Sequence, residues 1–540
     1  MKIPLLGQTG THEDEILYQK TLNLYPHIDK EGKGDVNLLK TPGSTLFNEV
    51  GVGPIRGEIN YNGQYYIISN DKFYLVPEIG GETEIGTINA TSGRCGLAHN
   101  GVNNGKQIII VDGLNGYIYN SEYDTFAQIK LYSSSTTDGT TTDKLVDSTA
   151  SFTTDGTVAG MIVYNTTDGT KATITAIDDA NTLSVSADVF ATGENYEVGT
   201  DAFPDGATHV MFMDGYFVVN DPANSGRFHK SKSYDGTDWD ALEFATAEQN
   251  SDELQSIISS NSERIYLVGE QTTEVWYNAG VPDFPFTPLK NGYMPYGTPA
   301  PYSVAEIDGI VFFIHQNKDG KSSVVMINGI QPQIVSTQSI ARMIDGYTLE
   351  NTYAWTYSYQ QHSFYVLSFP TDEVTLVYDY TTNMWHEMSN YSLGYHRSST
   401  HTFVYNKHLV GDPANGNIYE LDWTVFTDNG EQITRLRRSP HIHNGDRAVR
   451  HYALWLDCKV GVGNENIEDP KIMMRYRDVN KGWSKEKVRS LGKQGVAQKV
   501  VWRLLGRSRD RVYELKVTDP CDVTFIDGYA DVGGDSRVIG

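Results

Sequence analysis

A short pattern of alternating apolar and polar residues, opened by an Asn-Gly, Asp-Gly or similar turn, recurs through the first 422 residues of the chain. Aromatic and β-branched residues that alternate at period two favour strands, and the turn dipeptides between them indicate hairpins. The pattern occurs seven times, at residues 62–76, 104–120, 214–231, 261–278, 308–328, 361–385 and 406–422.

The spacing of these copies indicates an architecture. Most of them start about 42 to 53 residues apart, a period typical of four-stranded propeller blades. The exception is the interval from Asn104 to Asp214, which contains a stretch rich in Thr, Asp and Gly at 133–198. We therefore predict an all-β fold, a β-propeller of six or seven blades with an inserted small β module. The alternative is an irregular multi-sheet β protein whose hairpins have a similar spacing.

The last hundred residues are again rich in strands, and five apolar-alternating segments after His451 predict a C-terminal β-sandwich-like domain. Helices are a minor part of the pattern, with candidates at 13–23 and 338–347. The predicted domains are an N-terminal segment with the first blades, the inserted module, the remaining blades, and a basic linker with the C-terminal domain, at 1–132, 133–198, 199–430 and 431–540.

Composition supports a folded chain without a membrane segment. Hydrophobic residues make up 39% and aromatic residues 11% of the 540 positions, which is enough apolar material for a core. No apolar run reaches the 18 residues that a membrane span requires, and the N-terminus does not resemble a secretory signal. Cys95, Cys458 and Cys521 are far apart and odd in number, so we expect buried thiols in a chain made in a reducing cytoplasm.

Charge is divided unevenly along the chain. Residues 431–540 carry 21 Lys and Arg against 15 Asp and Glu, a net charge of +6, whereas residues 1–430 carry 22 against 53, a net charge of −31. Such an asymmetry bears on partners and solubility rather than on fold. The acidic part is expected to repel DNA.

The basic C-terminal part has two interpretations. It forms either a surface that follows the phosphates of DNA or a docking surface for an acidic partner or neighbouring subunit. We favour docking, because the net charge is small and no aromatic stacking platform accompanies the basic segment 499–520. Its four arginines alternate and would share one face of a continuous strand. The candidate assembly surface comprises Arg435, Arg437, Arg438, Arg503, Arg507, Arg509 and Arg511.

One turn in the third copy of the pattern is similar to the Asp-box of sialidase blades. In SKSYDGTDW (231–239) we expect Asp235 to cap the turn, Gly236 to supply a positive φ and Trp239 to pack beneath; Ser233 completes the motif. The role of this turn is structural. Sialidase chemistry would need three arginines and a Tyr/Glu pair, and no such grouping is evident.

Other signs of chemistry are weak. The sequence contains no GxSxG, HExxH or GxxxxGKS motif. His441 and His443 form an H-x-H pair that we interpret as a surface pair rather than a metal site, and the Asp-rich turns of 133–198 lack the spacing of a calcium loop. We therefore predict no catalytic residue, no cofactor and no metal.

Several longer motifs, in a fixed order along the chain, resemble the tail-nozzle or packaged-DNA stabilisation proteins of short-tailed bacteriophages. The resemblance covers nearly all of the chain except 133–198, and its motifs are diffuse rather than catalytic. They are TLNLYP (21–26), LLKTPGSTLF (38–47), RGEINYNGQYY (56–66), FHKSKSYDGTDWDALEFATAEQNSDEL (228–254), GEQTTEVWYNAG (269–280), GTPAPYSV (297–304), STQSIARMIDGYT (336–348), HSFYVLSFP (362–370), VYDYTTNMWHE (377–387) and the basic C-terminal segment.

This resemblance implies a structural virion protein, made in the host cytoplasm and located in the tail. Its partners would be further copies of itself in a ring, usually of six, the adaptor ring beneath the portal, a tail fibre or spike, and a plug or needle protein. DNA would pass through the ring without sequence-specific binding. The alternative function is a propeller-type glycan-binding protein or glycoside hydrolase of the tail.

Overall fold

The computed structural model of the protein describes residues 2–10, 19–28, 36–101, 104–247, 252–260, 263–282, 284–444, 447–478 and 481–534. These residues form β-strands with one α-helix, Gln338–Asp345, and a short 3₁₀ helix, Pro301–Ser303. The α-helix confirms the prediction at 338–347. The helix predicted at 13–23 lies mostly outside the described residues, and the described part Lys20–Leu22 is a strand.

Seven four-stranded antiparallel units form the blades of a propeller; five are separate sheets, and the other two are parts of larger sheets. Blade 1 contains Ile55–Tyr61, Gln64–Ser69, Lys72–Val76 and Thr83–Thr87; blade 2 contains Gly96–His99, Gln107–Val111, Gly116–Asn120 and Thr125–Gln128. Blade 3 contains Val210–Met213, Tyr216–Asn220, Arg227–Lys232 and Asp235–Thr246; blade 4 contains Leu254–Ser260, Arg264–Gly269, Thr273–Asn278 and Phe286–Met294.

The remaining three blades complete the circle. Blade 5 contains Ala305–Ile307, Ile310–Gln316, Ser322–Asn328 and Gln331–Ile334; blade 6 contains Tyr353–Tyr359, His362–Phe369, Val374–Asp379 and Met384–Met388. Blade 7 contains Thr400–Val404, Lys407–Gly411, Asn417–Asp422 and, as its outer strand, Gly43–Glu49. The first strand of each blade contacts the first strands of both neighbouring blades, so the ring of blades is closed.

Turn dipeptides and apolar runs explain the blades locally. Asn62 and Asp214, each followed by glycine, adopt φ of 52° and 49° in the hairpins between the first and second strands of blades 1 and 3. Second strands such as Gln107–Val111 are buried along their whole length, because neighbouring blades cover both of their faces. The structure thus confirms the predicted propeller and fixes the number of blades at seven.

An inserted β module lies between blades 2 and 3, as predicted. Its sheet contains Leu131–Thr136, Lys144–Val146, Ile162–Asn165, Thr170–Ile177, Thr182–Val185 and Asn195–Gly199. The module has its own apolar core, which includes Leu145, Phe152, Val163 and Ile174. At its base, the backbone N–H of Thr200 donates to the carbonyl of Lys130 at 3.2 Å, so the two ends of the insertion lie side by side.

The C-terminal β-sandwich packs two sheets around one core that includes Leu454, Met474, Trp502, Leu515 and Phe525. Sheet 1 contains Lys2–Pro4, Leu24–Ile28, Val36–Lys40, Val449–Cys458, Val500–Arg503, Arg507–Ser508 and Thr524–Gly534. Sheet 2 contains Lys20–Leu22, Arg435–Arg438, Ile442–His443, Lys471–Asp478, Lys487–Ser490 and Asp510–Val517. The short strands Thr427–Asp428 and Glu431–Gln432 pair at the outer edge of blade 7.

The four strands that precede Gly43 belong to the sandwich sheets rather than to a blade. Leu38 pairs with Phe525, and Leu22 pairs with Leu436 on one side and, in parallel, with Glu387 of blade 6 on the other. Sheet 2 is therefore continuous with blade 6, and the sandwich is attached to the propeller through backbone hydrogen bonds. Cys95, Cys458 and Cys521 are free and buried, which confirms the prediction of buried thiols.

Candidate assembly surface

The seven arginines of the predicted assembly surface do not lie on one surface. Arg435, Arg437 and Arg511 are 0%, 1% and 2% exposed, so the prediction is wrong for these three. The alternation argument assumed one continuous strand, but Leu504 and Gly506 adopt positive φ values of 58° and 81° and end the strand there. Arg503, Arg507 and Arg509 are exposed.

Arg437 is an internal connector. Its Nε donates to the carbonyl of Leu5 at 2.8 Å, and its Nη1 donates to the carbonyl of Gln8 and to the Thr21 hydroxyl, each at 2.9 Å. Its Nη2 donates to Gln19 Oε1 at 3.0 Å. Burial lowers the pKa of this guanidinium. Arg437 thus fixes the N-terminal segment against sheet 2.

Arg511 and Arg438 are also held by groups of the same chain. Arg511 donates from Nε to Asp478 Oδ1 at 2.6 Å, and its guanidinium lies 4.0 Å from the ring centroid of Tyr476. Arg438 pairs with the buried carboxylate of Glu514 at 2.8 Å. Internal pairing therefore neutralises part of the basic charge that the sequence shows.

Sheet 1 carries a different group of cations on the side turned away from the sandwich core. The cation–aromatic face, as we define it, consists of Arg450, Tyr452, Trp455, Lys499, Arg503 and Tyr529. Lys499 Nζ lies 4.4 Å and the Arg503 guanidinium 5.4 Å from the ring centroid of Trp455. Arg450 lies 5.8 Å from the ring centroid of Tyr452, and Tyr529 stacks on Trp455 at 6.1 Å.

The expectation that no aromatic platform accompanies the basic segment is therefore wrong. The aromatic residues come from Val449–Cys458, which pairs with the basic strand Val500–Arg503, and from Thr524–Gly534, which pairs with the other edge of Val449–Cys458. A search restricted to 499–520 could not find them. The aromatic and basic residues come together only when the outward-facing residues of Val449–Cys458, Val500–Arg503 and Thr524–Gly534 are considered as one sheet face.

The Asp-box-like turn of blade 3 is a hairpin turn held by hydrogen bonds within the turn. Asp235 Oδ1 accepts a hydrogen bond from the backbone N–H of Thr237 at 3.0 Å, and the buried Trp239 indole N–H donates to the Gly236 carbonyl at 2.7 Å. Ser233 is exposed. The positive φ falls on Tyr234, at 57°, instead of Gly236. Gly236 is needed for close packing, because a Cβ there would lie 2.7 Å from Ile118 Cδ1.

The next carboxylate, Asp238, holds the inserted module. It is 2% exposed, accepts a hydrogen bond from the Tyr164 hydroxyl at 2.7 Å and pairs with Lys171 Nζ. Tyr164 and Lys171 lie on adjacent strands of the module. Burial raises the pKa of the Tyr164 phenol and lowers the pKa of the Lys171 ammonium. The module is thus attached to blade 3 through an ion pair between the buried Asp238 and the partly exposed Lys171, as well as through its two chain connections.

One end of the propeller's central channel is crossed by Arg94. Its guanidinium lies 4.9 Å from the ring centroid of Tyr353 and 5.8 Å from that of Tyr302, and its Nη2 donates to the carbonyl of Ser399 at 2.8 Å. The ring of His209 stacks on the ring of Tyr302, with their centroids 5.2 Å apart. Residues at or just before the starts of the first strands of five blades therefore gather around Arg94.

A cavity of about 580 Å³ lies along the first strands of the propeller, lined by residues that include Leu97, Phe212, Met213, Tyr234 and Glu306.

Among the described residues, no helix is long and apolar enough to cross a membrane. His441 Nδ1 lies 2.8 Å from Asp510, and His443 is exposed. In the part of the chain that the structure describes, no three His, Cys, Asp or Glu side chains are placed to hold a metal ion.

Two models of one protein family match almost the whole chain. The bacteriophage P22 Gp10 β-propeller model matches residues 1–195 and 194–426, and the bacteriophage P22 Gp10 β-sandwich model matches residues 434–533. The chain belongs to the bacteriophage P22 Gp10 family. Bacteriophage P22 Gp10 is the tail-nozzle, DNA-stabilisation protein of short-tailed phages, so the resemblance noted in the sequence is confirmed. A Gp10 family member is a phage structural protein and a virion component, which implies a non-enzymatic role.

Comparison with solved structures finds propellers of other families. They include the Neurospora crassa Pan2 WD40 domain (TM-score 0.34, 7% identity, 68% of this chain and 88% of that chain) and the RRP9 WD40 repeats (TM-score 0.37, 8% identity, 71% and 99%). At these TM-scores the likeness carries no conclusion about function. A comparison with curated proteins finds no match.

Proposed function

We propose that this Gp10 family chain forms the tail-nozzle ring below the portal and adaptor, where several copies, six in the simplest case, extend and close the DNA channel. The observation that carries the proposal is the match of both domains to one family of phage structural proteins. The rigid closed propeller and its continuous junction with the sandwich suit a part that must resist internal pressure. Fibre or spike attachment and contact with a plug or needle protein belong to the same proposal.

Charge supports the passage of DNA through such a ring. Residues 1–430 carry a net charge of −31, and carboxylates repel phosphates, whereas each Lys or Arg contact with a phosphate would add salt-dependent affinity. DNA would therefore slide past the acidic propellers without sequence-specific binding. The channel inside each propeller is not the DNA path in this proposal, because Arg94 crosses it.

The native mass of the purified chain tests the proposal. A closed ring of six 60.2-kDa chains would weigh about 360 kDa, and light scattering alone and with adaptor rings would measure it. Assembly on the adaptor would support a nozzle. A chain that stays monomeric over a wide concentration range and does not bind the adaptor would contradict it.

A further inference from the structure

The cation–aromatic face has the composition of a protein-binding surface. Tyr452 is 48% exposed, and the cations Lys499 and Arg503 stand around the half-buried Trp455. Trp, Tyr and Arg are the residues that dominate binding energy at protein interfaces. The opposite side of the same sheet is filled by the sandwich core, so this side is turned outward.

A closed ring of identical chains needs two different surfaces on each chain. In a heterologous interface, one patch of each copy contacts a different patch of the next copy, and the two patches must be complementary. A basic and aromatic patch is complementary to an acidic patch with an exposed apolar centre. The propeller has a large excess of carboxylates from which such a patch can be built.

The connection between the last two strands of blade 1 offers that patch. Ile79 is 89% exposed and is flanked by the exposed carboxylates of Glu78 and Glu82. The neighbouring outer strand of blade 7 adds Glu49, and its Asn48 Nδ2 donates to the carbonyl of Gly81 at 2.8 Å. We define Glu49, Glu78, Ile79 and Glu82 as the acidic loop patch.

We propose that the cation–aromatic face of one copy binds the acidic loop patch of the next copy, an inference that rests on the proposed ring. Ile79 packs against the rings of Tyr452 and Trp455, and the carboxylates pair with Lys499 and Arg503. Because exposed ion pairs are screened by salt, the association weakens as ionic strength rises, while the apolar centre retains part of the affinity.

Cross-linking between two single-cysteine variants tests this contact directly. All three native cysteines are buried, so they contribute little background. We would mix full-length Arg503→Cys with full-length Glu82→Cys at a concentration at which the wild type assembles, and treat the mixture with a short bismaleimide. The matched control is Lys485→Cys with Glu82→Cys, because Lys485 is an exposed cation of the sandwich outside the cation–aromatic face.

If the contact forms, the mixture of Arg503→Cys and Glu82→Cys should cross-link at least about tenfold faster than the control mixture. Charge reversal is the second test: Lys499→Glu with Arg503→Glu should block assembly, and addition of Glu78→Lys with Glu82→Lys should restore it. Equal cross-linking rates in the test and control mixtures would overturn the contact. So would assembly that neither charge reversal changes.

The outcomes separate this contact from the nozzle proposal. A wild-type ring of normal mass that is insensitive to these variants leaves the nozzle standing and overturns the contact. A wild type that assembles neither alone nor on the adaptor overturns both. Retention of a DNA oligonucleotide by Trp455 and Arg503, without cross-linking, would show that the face binds nucleic acid instead.

Discussion

The guanidinium of Arg94 lies 4.9 Å over the ring of Tyr353, across the end of the propeller channel. Arg94 precedes the first strand of blade 2, and Tyr353 begins the first strand of blade 6. A single side chain therefore connects blades that are not neighbours in the ring.

Replacing Arg94 by Ala should destabilise the propeller by about 2 kcal/mol, because it removes two cation–π contacts and one hydrogen bond to a carbonyl. The midpoint of urea unfolding, followed by circular dichroism, would measure the loss. Lys318→Ala, at an exposed turn of blade 5, is the control and should leave the midpoint unchanged. An unchanged midpoint in Arg94→Ala would contradict the connecting role.

Glu58 should make stability depend on pH near neutrality. Burial raises the pKa of its carboxyl group to about 7, against the opposing effects of Tyr65, Thr400 and Arg94. A raised carboxyl pKa means that the folded state binds the proton more tightly, so this contribution is complete at low pH and is lost as pH rises through about 7. The loss should be on the order of 2 kcal/mol between pH 5 and 8.

The melting temperatures of wild type and Glu58→Gln from pH 5 to 8 would test this effect. The difference between the two profiles isolates Glu58 from histidines such as His209 and His401, whose pKa values are lowered by desolvation and act in the opposite direction. Glu58→Gln should gain stability relative to the wild type as pH rises. Parallel profiles, as expected for the exposed control Glu122→Gln, would refute the assignment.

Arg437→Ala should be among the most damaging substitutions in the sandwich. It leaves the carbonyls of Leu5 and Gln8 without their donor inside the protein, which we expect to cost about 3 to 5 kcal/mol. Tryptophan fluorescence during urea unfolding would report the change, since Trp502 lies in the sandwich core. The exposed Lys487→Ala serves as control, and a similar small effect for both would argue against the connector.

Asp238→Asn should loosen the inserted module without unfolding it. The change removes the buried charge that holds Lys171 and weakens the acceptor of the Tyr164 hydroxyl, a loss of about 2 to 3 kcal/mol. Limited proteolysis should then cleave near residues 131 and 199 several-fold faster. Asp240→Asn, which alters a more exposed and longer ion pair with Lys232, should not change the cleavage rate.

Removing residues 133–198 and joining the ends with a short Gly-Ser linker should leave the propeller folded. The ends already meet at Lys130 and Thr200, and all buried residues of the module's core except Ala127 of blade 2 belong to the module itself. Circular dichroism and native mass would show whether fold and assembly survive. Aggregation of the deletion variant would mean that blades 2 and 3 need the module to pack.

The propeller could be predicted because its signals are local. Turns such as Asn62-Gly63 and Asp214-Gly215 mark hairpins whichever blade they belong to, and their regular spacing gives the repeat. Strand pairing across the chain is not local. Nothing in Leu24–Ile28 or Val36–Lys40 shows that the partner strand begins at Thr524, so the N-terminal contribution to the sandwich could not be derived.

The candidate surface was harder to predict, because side-chain burial depends on strand continuity. Arg503 and Arg511 have the same parity in sequence, but the positive φ at Gly506 separates their strands. Arg437 is a residue type that is seldom buried, and only the packed N-terminal carbonyls explain its position. Trp455 became part of the surface only when sheet pairing placed it beside Lys499 and Arg503.

The outer strand of blade 7 also determines when the chain can finish folding. Gly43–Glu49 leaves the ribosome early, but its partner Asn417–Asp422 is synthesised more than 360 residues later. At about 5 to 20 residues per second, the early strand waits roughly 20 to 70 s for its partner. During that interval it presents an unpaired edge, so co-translational protection of this edge is a requirement of a propeller closed by its own N-terminus.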